Sequence, residues 1–187
     1  MMHLAAALAL LIGPETPQDV GGCAWSHLPQ TEQQAVLTAY DRGMSQGMRA
    51  LSQRDAALQA GVRACANRSD LPLRWSQAAV ASHVIQLGAS ARVARDKGLD
   101  RTRLDAAWTD AGDAPRNCAL DNAAKPFGIA GPGCQDRRAG RVFLERLGLS
   151  STERADRVAA EQALIYMNAK AQQLIVDQLI ARAPVQP

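Results

Sequence analysis

Apolar residues recur along this chain mainly at spacings of three and four, the period of an α-helix whose one face is buried. After Pro29, a residue suited to a helix's first turn, Val36, Leu37, Tyr40, Met44 and Met48 trace one such stripe and predict a first helix. Gly43 and Gly47 weaken its end, and Ser52-Gln53-Arg54-Asp55 resembles a capping box that opens a second helix with Leu58, Val62 and Cys65 inward. The stripe nevertheless runs almost unbroken through Leu51. The pattern alone therefore leaves two readings, one long helix to Ala66 or two antiparallel helices.

Farther along, the boundaries are better marked. Asn67 to Pro72 separates two helices, with Ser69 or Asp70 as cap and Pro72 in the first turn. Val80, Val84, Leu87 and Ala91 then follow a helical spacing, and Arg92, Arg95 and Lys97 precede a stop at Gly98. Asp100 caps a shorter helix with Leu104 and Trp108, ended by Gly112 and Pro115. Asp136 to Leu147 forms another, carrying Val142, Phe143, Leu144 and Leu147 and stopped by Gly148. The longest helix opens at Ser150 or Ser151, with Glu153 completing a capping box, and ends near Ala183 before Pro184. Leu164, Met167, Ala171, Leu174, Ile175 and Leu179 mark its stripe, which Val158, Ile165 and Val176 widen. So wide an arc places this helix centrally, packed on the one that ends at Gly98.

One stretch breaks the period. Cys118 to Cys134, CALDNAAKPFGIAGPGC, holds two prolines and three glycines between two cysteines and reads as irregular. The expected fold is all-α, an antiparallel helical bundle of about five to six helices with a disulfide-closed irregular loop.

Composition supports that class, because 36 alanines and only 4% aromatic residues suit close helix packing better than sheets. At 187 residues the chain is long enough for one domain with a real core. The uncharged run from Leu4 to Ile12, closed by Gly13 and Pro14, is too short to span a bilayer and fits the apolar core of a secretory signal peptide. Its leading segment lacks the usual Lys or Arg. The expected organisation is a signal peptide over 1–22 and a single helical-bundle domain over 23–187, exported to the periplasm or outside the cell and without a transmembrane segment in the mature chain. Val20-Gly21-Gly22-Cys23 resembles a lipobox, but Glu15 and Asp19 between the apolar run and the cysteine depart from that pattern. Lipidation of Cys23 is therefore the lesser reading.

Export makes the cysteines legible. Cys23, Cys65, Cys118 and Cys134 are an even set that an oxidising compartment keeps as two disulfides. Cys118 with Cys134 closes the shortest loop, which leaves Cys23 for Cys65. A straight helix from Pro29 to Ala66 would be about 55 Å long, far beyond the roughly 7 Å that a disulfide allows between Cα atoms, so this pairing requires the chain to reverse between Gly43 and Ser52. Zinc is the competing use of Cys23 and His27, four residues apart. A structural zinc site usually repeats such a pair, whereas Cys65 and His83 stand isolated here.

Charge and motifs narrow the chemistry. The net charge is +3, and the 18 arginines and 3 lysines alternate with acidic residues instead of forming a block, which argues against a nucleic-acid partner. No G-x-S-x-G elbow, H-E-x-x-H, Walker loop, G-x-G-x-x-G or haem C-x-x-C-H occurs. Gly128 to Gly133 is a poor phosphate loop, since Pro132 lacks an amide donor. Sequence therefore assigns no catalytic residue, cofactor or metal. His83 reads as a half-buried structural histidine, and Trp25, Trp75 and Trp108 as caps on the bundle core. The favoured contact surface is Arg137, Arg138 and Arg141, near a helix amino terminus and suited to a small anionic ligand or a protein. The expected role is non-enzymatic, binding or structural. The alternative is an exported hydrolase of glycan or peptide using a carboxylate pair drawn from residues such as Glu145, Glu153 and Glu161.

Overall fold

The structure is a computed structural model that describes residues 18–129 and 138–183, and those residues form helices and no strand. The elements are α1 (Val20–Ser26), α2 (Gln30–Arg42), α3 (Met44–Ser52), α4 (Asp55–Ala66), α5 (Leu73–Lys97), α6 (Arg101–Asp110), α7 (Asp113–Ala124), a 3₁₀ turn (Lys125–Phe127), α8 (Arg138–Arg146) and α9 (Arg157–Arg182). The all-α class holds. Nine α-helices among the described residues exceed the five to six expected, and each extra one has a local cause.

The first long stripe is cut twice. Gly43 ends α2 in an extended conformation, and the turn through Gln53 and Arg54 separates α3 from α4. A Cβ placed on Gly47 would lie 2.8 Å from the Cβ of Tyr40, so α3 folds back on α2. Seven residues of continuous helix would separate those positions by about 10 Å. Ser52 does not cap α4 as expected. It still belongs to α3, where its hydroxyl donates to the Arg49 carbonyl.

Three further boundaries moved. Cys23 does not precede the first helix but lies within α1, whose amino-terminal turn is capped by Asp19 through a 2.6 Å bond from the Gly22 N–H. The first half of the Cys118 to Cys134 stretch is helical, because Pro115 is the third residue of α7, where a missing N–H interrupts no helical bond. The last helix begins at Arg157 and not at Ser150. The Asp156 carboxylate accepts the Ser150 N–H at 3.1 Å and pairs with Lys97 Nζ at 2.6 Å, which holds the preceding residues in turns.

At the start of α5 the expected cap by Ser69 or Asp70 is not formed and Pro72 stands one position ahead of the first turn, whereas the Gly98 and Asp100 signals match. Pro72 is the N-cap of α5, Gly98 takes a left-handed conformation at its end, and Asp100 caps α6 by accepting the Arg103 N–H.

Helices α5 and α9 are the spine and run antiparallel. The late part of α5 and the early part of α9 meet α6, α7 and α8 around Val93, Leu104, Phe143 and Tyr166. At the opposite end, early α5 and late α9 meet α1 to α4 around Trp25, Val36, Val62, Val80 and Val176. Small residues let the elements close up. A Cβ at Gly21 would collide with the Ala79 carbonyl oxygen, which puts α1 backbone directly on α5, and one at Gly88 would collide with the Tyr40 ring. The wide arc expected on α9 is real except at Val158, which is 60% exposed.

Candidate functional site

Three places bring chemistry-bearing side chains together. The first is the corner of α1 and α4. A Cβ on Gly61 would stand only 3.1 Å from the Ala24 carbonyl oxygen, so the two backbones nearly touch. That approach allows the Cys23–Cys65 disulfide, with Cα atoms 6.0 Å apart. The single straight helix to Ala66 is therefore excluded, but the stripe folds as three helices, α2, α3 and α4, and not as the two-helix hairpin expected. His27, one helical turn beyond Cys23, faces the same corner, and ligand atoms of Cys23, His27 and Cys65 all lie within 4.8 Å of one another. The end of α1 is fixed by Gln33, whose amide donates to the carbonyls of Trp25 (3.1 Å) and Leu28 (2.9 Å). Cys118 is also disulfide-bonded, while Cys134 lies outside the described residues.

The second is a buried polar seam where α1 meets α5 and α9. His83 is buried, as a structural histidine would be, and its Nδ1 lies 3.2 Å from Asp19 Oδ2. Burial alone would raise the Asp19 pKa. The adjacent His83 and the Gly22 N–H outweigh it and hold the carboxyl below its usual range. Asp177, on α9 and 3% exposed, accepts the Val20 N–H at 3.4 Å. Burial first, then the negative charge of Asp19, pushes its pKa up to about 7, against the opposing pull of the Val20 N–H, Gln173 and Lys170. Next to it the Gln86 side chain donates to Gln173 Oε1, so α5 and α9 are also joined by a buried amide pair.

The third is a cleft of about 180 Å³ between α3, α4 and α5. Met48, Leu51, Leu58, Val80 and Ala81 give it an apolar lining. Asp55 stands among the polar lining residues, and its carboxylate is held from two helices: Gln59 Nε2 donates at 2.6 Å and Gln77 Nε2 at 3.3 Å. A fixed carboxylate beside an apolar hollow can orient a ligand that is apolar at one end and a donor or cation at the other.

The surface favoured from sequence is only partly described. Arg138 and Arg141 are exposed on α8, and Arg141 Nε lies 3.8 Å from Glu145, whereas Arg137 lies outside the described residues. Glu145, Glu153 and Glu161 are all exposed, on α8, in the turn after it and on α9 respectively. The tryptophans do not gather at one end, since Trp25 and Trp75 belong to the α1–α4 side of the core and Trp108 to the α6–α8 side.

Sequence reasoning missed Asp55 as a rim group, having read it as part of a cap. It also left His83 without the carboxylate partner that Asp19 supplies, because Asp19 was placed in the leader. Asp177 did carry a signal: it follows Gln173 by four residues and lies between Val176 and Ile180 on the buried arc. Comparison with known proteins finds no family model, no curated protein and no solved structure that matches the chain. Among the described residues no helix is long and apolar enough to cross a membrane.

Proposed function

We propose that this chain is an exported binding protein, not an enzyme, and that the cleft between α3, α4 and α5 holds a small ligand with an apolar body and an amine head. The cleft carries the reading. Its 180 Å³ is comparable to the roughly 150 Å³ of an apolar protein cavity that takes up benzene, so a ring-sized group fits. The Asp55 carboxylate, held by Gln59 and Gln77, supplies a charge-assisted hydrogen bond for the head group. Export is supported by the Leu4 to Ile12 run together with the Cys23–Cys65 bond, which persists in an oxidising compartment.

Helix α1 bears on where a leader would be removed. A cut after Gly22 would fall inside α1 and discard the buried Val20 and Gly21 together with Asp19. Processing ahead of Asp19 keeps the α1 cap and the contact with His83, which favours a cut there.

Calorimetric titration with benzylamine and with its neutral analogue benzyl alcohol tests the ligand reading. Saturable binding of both is expected, with the amine the tighter. Asp55→Asn should weaken the amine about tenfold or more while sparing the alcohol, since hydrogen bonds to charged groups contribute about 1.5 to 3 kcal/mol. Ala81→Phe, which fills the hollow, should abolish both. Absence of saturable binding by either probe would retire the reading.

A further inference from the structure

We propose that the Cys23–Cys65 bond locks a second site: once reduced, Cys23, Cys65 and His27 form a Cys₂His site for a thiophilic divalent cation such as Zn²⁺. This rests on the α1–α4 corner alone and is independent of the cleft. The observation is that all three ligand atoms already lie within 4.8 Å of one another, although Cys65 is separated from Cys23 by 42 residues. Zinc bonds thiolate sulfur at about 2.3 Å and imidazole nitrogen at about 2.0 to 2.1 Å, so tetrahedral ligands stand roughly 3.5 to 3.8 Å apart. Breaking the bond frees the two sulfurs to part to that spacing by rotation about their side-chain torsions.

Two devices hold the three ligands. Cys23, in the middle of α1, and His27, its C-cap, are four residues apart, and Gln33 pins the helix end through the carbonyls of Trp25 and Leu28. Cys65 lies in the last turn of α4, closed by Asn67 in a left-handed conformation. The contact of Gly61 with Ala24 keeps the helices together when the covalent link is gone. His27 is exposed, so an ion can approach from solvent, and water can fill the fourth position as in other three-ligand zinc sites.

The chemistry balances with a dithiol reductant. Two electrons and two protons pass to the Cys23–Cys65 bond, which breaks to two thiols while the reductant closes its own disulfide. Binding of the cation then expels the two thiol protons, because the ligands are thiolates. A disulfide oxidant reverses both steps: it takes up the two electrons, and two protons from solvent, to become a dithiol, the Cys23–Cys65 bond re-forms, and the ion is released. The corner thus has two exclusive states, cross-linked without metal or metal-bound without the cross-link.

The test uses the full chain, oxidised and phosphine-reduced, with Co²⁺ as probe and Zn²⁺ as competitor. Reduced protein should bind one Co²⁺ with a thiolate-to-cobalt charge-transfer band and tetrahedral ligand-field bands, and Zn²⁺ should displace it. Oxidised protein should show neither band. The Cys118→Ser/Cys134→Ser double variant should retain the site, whereas Cys23→Ser should lose it. His27→Ala should weaken binding about tenfold or more, since loss of a ligand costs at least as much as loss of its outer-shell partner. No charge-transfer band in the reduced chain would overturn the proposal. Equal affinity in His27→Ala would also overturn it, and that comparison, made in the reduced wild-type background, decides the matter even where circular dichroism shows the double variant unfolded.

Discussion

The Val20 amide at the start of α1 donates to Oδ1 of Asp177 near the end of α9, joining residues 157 positions apart in the chain. The bond is long at 3.4 Å, but it ties α1 to the spine of the fold at the buried seam. A carboxyl with a raised pKa favours its protonated form in the folded state. Its contribution to stability is therefore greatest at low pH and is lost as pH rises through about 7. Asp19 acts in the opposite sense: its lowered pKa contributes stability above the ordinary carboxylate range, lost only as pH falls through the lowered value. The groups facing Asp177 include Asp19 and Lys170. From pH 5 to pH 8, Asp177→Asn should gain about 2 kcal/mol relative to wild type, which urea unfolding at each pH would measure. An unchanged difference would show that Asp177 ionises normally.

Removing the first disulfide should cost stability because its loop is long. The link closes 42 residues of sequence separation, for which the loop-entropy model gives about 4 kcal/mol. Cys23→Ser/Cys65→Ser, unfolded in urea under oxidising conditions, should show a loss of that order with native helical content at zero denaturant. A loss below about 1 kcal/mol would mean that the unfolded chain already holds this corner together.

Glycines at close approaches should resist substitution where the obstacle is rigid. Gly21→Ala sets a methyl against the Ala79 backbone oxygen and Gly88→Ala sets one against the Tyr40 ring, so each should cost about 1 to 3 kcal/mol by overpacking. Gly43→Ala is the control. That position is extended and has nothing within 4 Å of an added Cβ, so thermal denaturation should register little change.

How far the sequence announced this structure depended on whether each signal was local. Gly98 and Asp100 mark boundaries by their own chemistry and match their sequence reading, while Pro72 marks the start of α5 to within one residue. Helix α1 was hidden because Val20, Gly21 and Gly22 follow an apolar leader-like run, and two glycines are weak helix formers that only contact with α5 makes favourable. Helix α7 was hidden by Pro115, whose place in the first turn is innocuous only once Asp113 is known to start the helix. The spacing of Cys23 and His27 was visible, but the arrival of Cys65 beside them depends on two helix breaks, at Gly43 and after Ser52. The cleft is likewise tertiary, built from three helices whose lining residues have no common period.

The central claim is an exported, disulfide-held bundle in which α1 belongs to the mature protein. Intact-mass spectrometry with thiol counting, on the chain recovered from outside the cytoplasm of its producing cell, tests that claim most directly. The account predicts a mass lacking the Leu4 to Ile12 run, an amino terminus at or ahead of Asp19, and no free thiol. A retained leader with four alkylatable cysteines, or a terminus at Cys23, would contradict it.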